Sequence, residues 1–143
     1  MLRYCDDEFT EQYQATIGLD FKVKTLDRNG RLVKEAASGM LIVYDVTSRD
    51  SFEKAKEILN NAKNFNNQEQ VYAVVGNKSD LKKQRQISFE EGMSFANEIG
   101  VYFQETSAKE KYSLDFAFHD LALRCLKIYD DSGKGITDQM LIY

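Results

Sequence analysis

Val71-Tyr72-Ala73-Val74-Val75-Gly76-Asn77-Lys78-Ser79-Asp80 decides the fold, because an unbroken apolar run passes directly into a polar turn. A run without polar alternation is what a strand buried on both faces of a parallel sheet shows. The turn then stands at the carboxyl end of that strand, which is where ligands bind in open α/β sheets. Asn77-Lys78-x-Asp80 places an amide, an ammonium and a carboxylate on it. Taken alone, this short pattern also reads as an ordinary solvated turn.

Working outward, residues 40–46, Met-Leu-Ile-Val-Tyr-Asp-Val, form a second near-continuous run and supply the parallel neighbour. Between the two, Phe52, Ala55, Ile58, Leu59, Ala62 and Phe65 recur at spacings of three and four, which predicts a helix. Downstream, Ser88 and Glu91 have the spacing of a capping box ahead of a helix carrying Met93, Ala96 and Ile99 and stopped by Gly100. Residues 101–104 read as a short last strand leading into Glu105-Thr106-Ser107-Ala108-Lys109. The final helix shows Leu114, Ala117, Phe118, Leu121, Ala122, Cys125, Leu126 and Tyr129 on one stripe. Strands and helices alternate, so the class is α/β.

Upstream, residues 19–26 alternate as a strand does, and Asp27-Arg28-Asn29-Gly30 followed by residues 31–34 reads as a hairpin. The hairpin and the 40–46 strand cannot be parallel neighbours, because a parallel crossover takes about a dozen residues and only 35–39 lie between them. The sheet is expected to lack its middle.

The chain of 143 residues, 43% apolar and 29% charged, suits a single domain. We expect that domain to end near residue 130, with 131–143 a mobile tail. A net charge of -4 argues against a nucleic-acid surface, which wants a basic stripe. The two cysteines, Cys5 and Cys125, sit in apolar helical patterns and no disulfide is expected. Without an apolar run of about 18 residues or a signal-peptide layout, the expected location is the cytoplasm. No cluster has metal-ligand spacing. His119 lies off the last helix's apolar stripe and reads as a surface residue with no catalytic role.

The chemistry concentrates on two strand ends. An aspartate at Asp80 can accept hydrogen bonds from the ring N–H and the amino group of guanine, whereas adenine offers no matching pair and would leave buried polar groups unpaired. Lys78 can lay its stem along the purine, Asn77 can tie the two loops together, and the Ala108 N–H can meet the guanine oxygen. The Ser107-Ala108-Lys109 loop on the neighbouring strand turns the weak pattern at 77–80 into a specific one.

Five segments together resemble a Rab-type small GTPase of the Ras superfamily. They are Asp6-Asp7-Glu8-Phe9-Thr10-Glu11, Thr16-Ile17-Gly18-Leu19-Asp20-Phe21, Val43-Tyr44-Asp45-Val46-Thr47, Asn77-Lys78-Ser79-Asp80 and Glu105-Thr106-Ser107-Ala108-Lys109. The resemblance runs from about residue 2 to about residue 129 with one interruption. It implies a three-layer P-loop GTPase-like domain acting in vesicle trafficking, with GTP or GDP and Mg²⁺ bound at the cytosolic face of endomembranes. Asn77, Lys78, Asp80, Ser107, Ala108 and Lys109 match the guanine-binding positions. Phe9 matches the aromatic that packs on the guanine, and Thr16 the switch threonine that reaches Mg²⁺ and the γ-phosphate. Ile17, Gly18, Leu19, Asp20 and Phe21 match the segment that effector and regulatory proteins read. Taken alone, Phe9 also reads as a core aromatic and Thr16 as a loop hydroxyl.

Two departures set the expectation about activity. The family's Gly-x-x-x-x-Gly-Lys-Ser phosphate loop has no match in the 143 residues. Between the hairpin and the 40–46 strand, about twenty residues of the family pattern, including the water-positioning glutamine of phosphoryl transfer, have no counterpart. The chain is thus expected to be a truncated GTPase with no catalytic residue and a mostly parallel sheet lacking its central strands. A guanine pocket alone supports about 4 to 6 kcal/mol, a millimolar to high micromolar dissociation constant. The alternative is a non-catalytic interaction module that binds trafficking partners without nucleotide. The sequence ends at Tyr143 without the cysteines that carry prenyl groups in the family, so membrane association by that route is not expected.

Overall fold

The computed structural model of the chain describes Asp7, Phe9, Leu26–Arg28, Arg31–Val33 and residues 39–65, 70–132 and 140–142. Leu26–Arg28 (β1) and Arg31–Val33 (β2) pair antiparallel, with Leu26 opposite Val33 and Arg28 opposite Arg31. Asp27 and Arg28 therefore belong to the strand, and the turn is narrower than the four residues expected. This hairpin is a sheet of its own, and it is not a parallel neighbour of the 40–46 strand, as expected.

Among the described residues four strands form the main sheet: β3 (Gly39–Asp45), β4 (Val71–Asn77), β5 (Tyr102–Glu105) and β6 (Met140–Ile142). They lie parallel in the order β5-β4-β3-β6. β3 and β4 pair along their whole length, from Gly39 opposite Val71 to Asp45 opposite Asn77. On its other side β3 is paired by β6 at Gly39 to Leu41 alone, and among the described residues no strand continues that ladder along Ile42 to Asp45. Among the described residues this edge of β3 is half covered, on the side where the sheet was expected to lack its middle. Met140–Ile142, inside the stretch expected to be a mobile tail, is a strand, and the preceding helix runs on to Ser132 instead of ending near residue 130.

Among the described residues three α-helices flank the sheet: α1 (Arg49–Phe65), α2 (Phe89–Ile99) and α3 (Lys111–Ser132). Side chains alternate across a strand. Ile42, Tyr44 and Val74 meet Phe52, Ala55 and Leu59 of α1 on one face, with Phe95 and Ile99 of α2 packed beside them. Leu41, Val71, Ala73 and Val75 meet Phe118 and Leu121 of α3 on the other. The result is the expected three layers.

Several details differ from the expectation. Ile58 is 42% exposed because α1 seats on a narrower stripe through Phe52, Ala55 and Leu59. Met93 is 40% exposed because Gly92, Phe95, Ala96 and Ile99 form the inner side of α2. The side chains of Phe65, Leu126 and Tyr129 lie outside the described residues. The strand expected at 101–104 is Tyr102–Glu105, one residue later, and it is not the last, since β6 follows it. Ser88 caps α2 by accepting from the Glu91 N–H at 3.1 Å, and the Ser88 backbone N–H in turn bonds to the Glu91 carboxylate, the reciprocal pair of a capping box. The same carboxylate also pairs with Arg49 at the start of α1. Gly100 ends α2 in the left-handed conformation at φ 72°, where a side chain is costly.

Candidate functional site

The parallel strands β3, β4 and β5 end together, and the polar turns that follow them are bound to one another. At the end of β4, Asn77 accepts through Oδ1 from the Ala108 N–H at 3.1 Å and from the Thr106 hydroxyl at 3.5 Å. Backbone bonds run alongside, from Ser79 N to the Thr106 carbonyl at 3.1 Å and from Thr106 N to the Gly76 carbonyl at 2.8 Å. The Ser107 hydroxyl donates to Asp80 Oδ1 at 2.6 Å. Thr106 and Ser107 are wholly buried, so these bonds carry the satisfaction that buried polar groups need. The same Ser107 oxygen accepts from the Glu110 N–H at 3.2 Å, and the Ser107 N–H donates to Ser113 at 2.9 Å, which ties the loop to the start of α3.

Asp80 is thereby held with one carboxylate oxygen engaged, and no described bond engages Oδ2. A fixed carboxylate beside a polar loop is an acceptor for a ligand that presents two N–H donors side by side. The Ala108 N–H, expected to face the guanine oxygen, donates to Asn77 here. Asn77 does tie the two loops as expected.

Lys78 adopts φ 63°, a left-handed conformation that is uncommon for a residue with a side chain. Its ammonium lies 2.5 Å from Asp45 Oδ2 at the end of β3. The other Asp45 oxygen accepts from the Thr47 N–H at 2.8 Å and the Thr47 hydroxyl at 2.7 Å. Burial pushes the Asp45 carboxyl up, but the bonds from Lys78 and Thr47 outweigh it and hold the group below its usual range.

Around this centre the loop after Asp80 crosses the end of β3, with Gln86 N and Ile87 N both donating to the Val46 carbonyl at 2.8 and 3.0 Å. Arg85 in that loop grips Glu105 with two bonds, at 2.5 and 2.8 Å, directly before the Thr106-Ser107-Ala108 turn. Sequence reading missed Asp45, Arg85 and Glu105 as organisers of the site. The available signal was charge: an acid at the end of one parallel strand beside a base at the end of the next.

Lys109 follows Ala108 and is exposed. Phe9 is 44% exposed, which removes the reading of it as a core aromatic. Thr16, Ile17, Gly18, Leu19, Asp20 and Phe21 lie outside the described residues. His119 is exposed, as expected. Among the described residues no group of three or more His, Cys, Asp or Glu side chains is placed to hold a metal ion, and no helix is long and apolar enough to cross a membrane.

A model of the Ras family matches residues 30–127. The Ras-related protein RIC1 of Oryza sativa subsp. japonica is 35% identical over 142 residues, covering 85% of this chain and 70% of that protein. The GTP-binding protein ypt2 of Schizosaccharomyces pombe is 33% identical over 159 residues, covering 97% of this chain and 80% of that protein. The Ras-related protein Rab-1C of Dictyostelium discoideum is 35% identical over 142 residues, covering 85% and 71%. The alignment with RIC1 is longer than the 85% of this chain that it draws on, so that relative has residues inside the aligned stretch with no counterpart here. Membership of this kind implies GTP or GDP with Mg²⁺, and effector or regulatory partners, in general terms. With the family model spanning the strands and loops that build the site, the chain belongs to the Ras family of small GTPases, on its Rab branch.

Proposed function

We propose that this chain is a Rab-like protein of vesicle trafficking that keeps guanine recognition while its nucleotide binding is weak and its GTP hydrolysis is impaired. The observation that carries the reading is the clasp of Asn77, Asp80 and Ser107, which presents one fixed carboxylate at the joined ends of β4 and β5. Asp80 reads the guanine edge, Lys78 offers its stem to the purine face, and Ser107 with Ala108 completes the loop. A bound nucleotide would supply the phosphates that Mg²⁺ and a phosphate loop normally hold.

The reading of impaired hydrolysis is supported by the sequence. The extra residues of RIC1 inside the aligned stretch agree with a missing switch segment between the hairpin and β3. Effector and regulatory proteins would read Ile17, Gly18, Leu19, Asp20 and Phe21, with Thr16 the Mg²⁺ position if a phosphate loop were supplied.

Calorimetry of the 143-residue chain with GDP and Mg²⁺ tests the proposal. The expected dissociation constant is roughly 0.1 to 1 mM, the range a base pocket supports. A submicromolar constant, or GTP turnover at the rate of an intact family member, would overturn it.

A further inference from the structure

We propose that Arg85 is a positioning residue for base recognition, holding Asp80 in the orientation in which both carboxylate oxygens can meet a base. This inference rests on the guanine-recognition reading above and adds the residue on which its selectivity depends. Arg85 acts at one remove from Asp80. Its guanidinium donates to Glu105 Oε1 at 2.5 Å, to Glu105 Oε2 at 2.8 Å and to the Ile87 carbonyl at 3.0 Å. The side chains are 25% and 13% exposed, so this two-pronged, charge-assisted grip is partly withdrawn from solvent and fixes direction as well as distance.

The contacts close a ring. After Asp80 the chain winds through a turn in which the Lys82 N–H donates to the Asp80 carbonyl at 2.9 Å and the Gln84 N–H to the Leu81 carbonyl at 3.0 Å, and it arrives at Arg85. Arg85 crosses to Glu105, the last residue of β5, and Ser107 two residues on returns to Asp80 Oδ1 at 2.6 Å. Beyond Arg85, the Gln86 and Ile87 N–H groups anchor the segment on the Val46 carbonyl, just past β3. Opening the ring at Arg85 releases the turn from the end of β5 while the Asp80–Ser107 bond can persist, so the carboxylate is free to tilt about that bond.

A tilt of this kind has a base-specific signature. Guanine presents two N–H donors side by side and needs both oxygens aligned, whereas hypoxanthine keeps the ring N–H, lacks the amino group and tolerates rotation of the carboxylate. The ratio of the two affinities therefore reads the alignment. A loss of folded protein weakens both ligands by the same factor and leaves the ratio unchanged.

GMP and inosine monophosphate, which carry the same phosphate, are titrated into the isotope-labelled 143-residue chain, with the backbone amides of Asn77, Ser79, Asp80 and Ala108 followed by NMR. The parent should prefer GMP by about tenfold, the worth of one hydrogen bond to a charged acceptor. Arg85→Gln should lower that ratio to about two- to threefold, and Arg85→Lys, which keeps the charge without the fork, should fall between. Arg124→Gln removes an arginine from its pair with Asp120 on α3 and should match the parent. In an Asp80→Asn background, Arg85→Gln should change the ratio no further, because the group it positions has been altered. Glu105→Gln weakens the ring from its other side and carries the test if Arg85→Gln does not fold. A parent preference of about tenfold that survives in Arg85→Gln or, where that variant does not fold, in Glu105→Gln overturns this inference and leaves the guanine-recognition reading standing. A parent that binds GMP no better than inosine monophosphate overturns both.

Discussion

The Ser107 hydroxyl meets Asp80 Oδ1 at 2.6 Å across a separation of 27 residues, joining the loop after β5 to the loop after β4. The carboxylate is therefore positioned by protein before any ligand arrives, which lowers the ordering cost of binding. Asp80→Asn keeps the shape of this side chain but replaces one acceptor oxygen with a donor. It should weaken guanine binding and favour xanthine compounds, which present a carbonyl where guanine has its amino group. NMR titration with both bases checks this, and an unchanged guanine preference would remove Asp80 as the reader.

Acid should reveal the Asp45–Lys78 pair. Burial alone raises the Asp45 carboxyl, and the bonds from Lys78 and Thr47 pull it below the usual carboxylate range. Since the folded value lies below the unfolded one, the stability contributed is complete above about pH 4 and is lost as pH falls through the lowered folded value. Asp45→Asn should be less stable than the parent at neutral pH, with the two melting temperatures converging in acid. A gap that persists unchanged to pH 3 would mean that the carboxylate contributes nothing through its charge.

Tyr44 and Gly92 make a second, independent test. The Tyr44 hydroxyl is buried with no hydrogen-bond partner among the described residues, and burial, reinforced by Glu105, pushes it up to about 12. Tyr44→Phe deletes an unsatisfied group and should be neutral or stabilise by about 1 kcal/mol. A Cβ at Gly92 would lie 2.6 Å from that hydroxyl and 2.6 Å from Phe103 Cζ. Gly92→Ala should gain about 1 kcal/mol of helix propensity and lose about 1 to 3 kcal/mol to overpacking, so it destabilises on balance. Urea denaturation of both variants reads the two signs.

Arg85 and Glu105 are 25% and 13% exposed, between the surface and buried regimes. Surface pairs contribute about 0 to 1 kcal/mol, while breaking a buried pair costs about 3 to 5. Arg85→Ala should therefore destabilise by about 1 to 3 kcal/mol and speed hydrogen exchange of the amides at Thr106, Ser107 and Ala108. Arg85→Lys keeps the charge but loses the two-pronged grip, and it should recover only part of the loss. Equal stability of the alanine variant and the parent would make the pair ornamental.

The parts of this molecule that were legible in the sequence are those written in local pattern. The apolar run 71–75 and the stripe of α3 announce themselves because burial on both faces, or on one stripe, leaves a period that neighbours in sequence share. Asn77, Asp80 and Ser107 were legible because few chemistries use those groups at two successive strand ends. The Arg49–Glu91 and Lys78–Asp45 pairs were not, since each joins residues from different elements and either partner alone is an ordinary surface charge. β6 was hidden for another reason: three apolar residues after a glycine-containing stretch are too short to show a strand period.

The half-covered edge of β3 gives the last prediction. Residues 40–46 contain no proline, lysine or bulge signal of the kind natural edge strands use against pairing with other chains. The run is also apolar enough to resemble an aggregating window. β6 shields Gly39 to Leu41, and among the described residues nothing pairs Ile42 to Asp45 on that side. Removing residues 140–143 should therefore turn a partly protected edge into an open one, and the truncated chain should oligomerise at lower concentration than the parent. Val43 supplies the converse variant. At 39% exposure its side chain faces outward while its neighbours Ile42 and Tyr44 are buried, so Val43→Lys adds a charge to the edge without entering the core. That variant should stay monomeric at concentrations where the parent associates, with its melting temperature little changed. Light scattering and size-exclusion chromatography on the three chains give the comparison. If the truncated chain is as monomeric as the parent, the shield belongs elsewhere and β6 has no protective role.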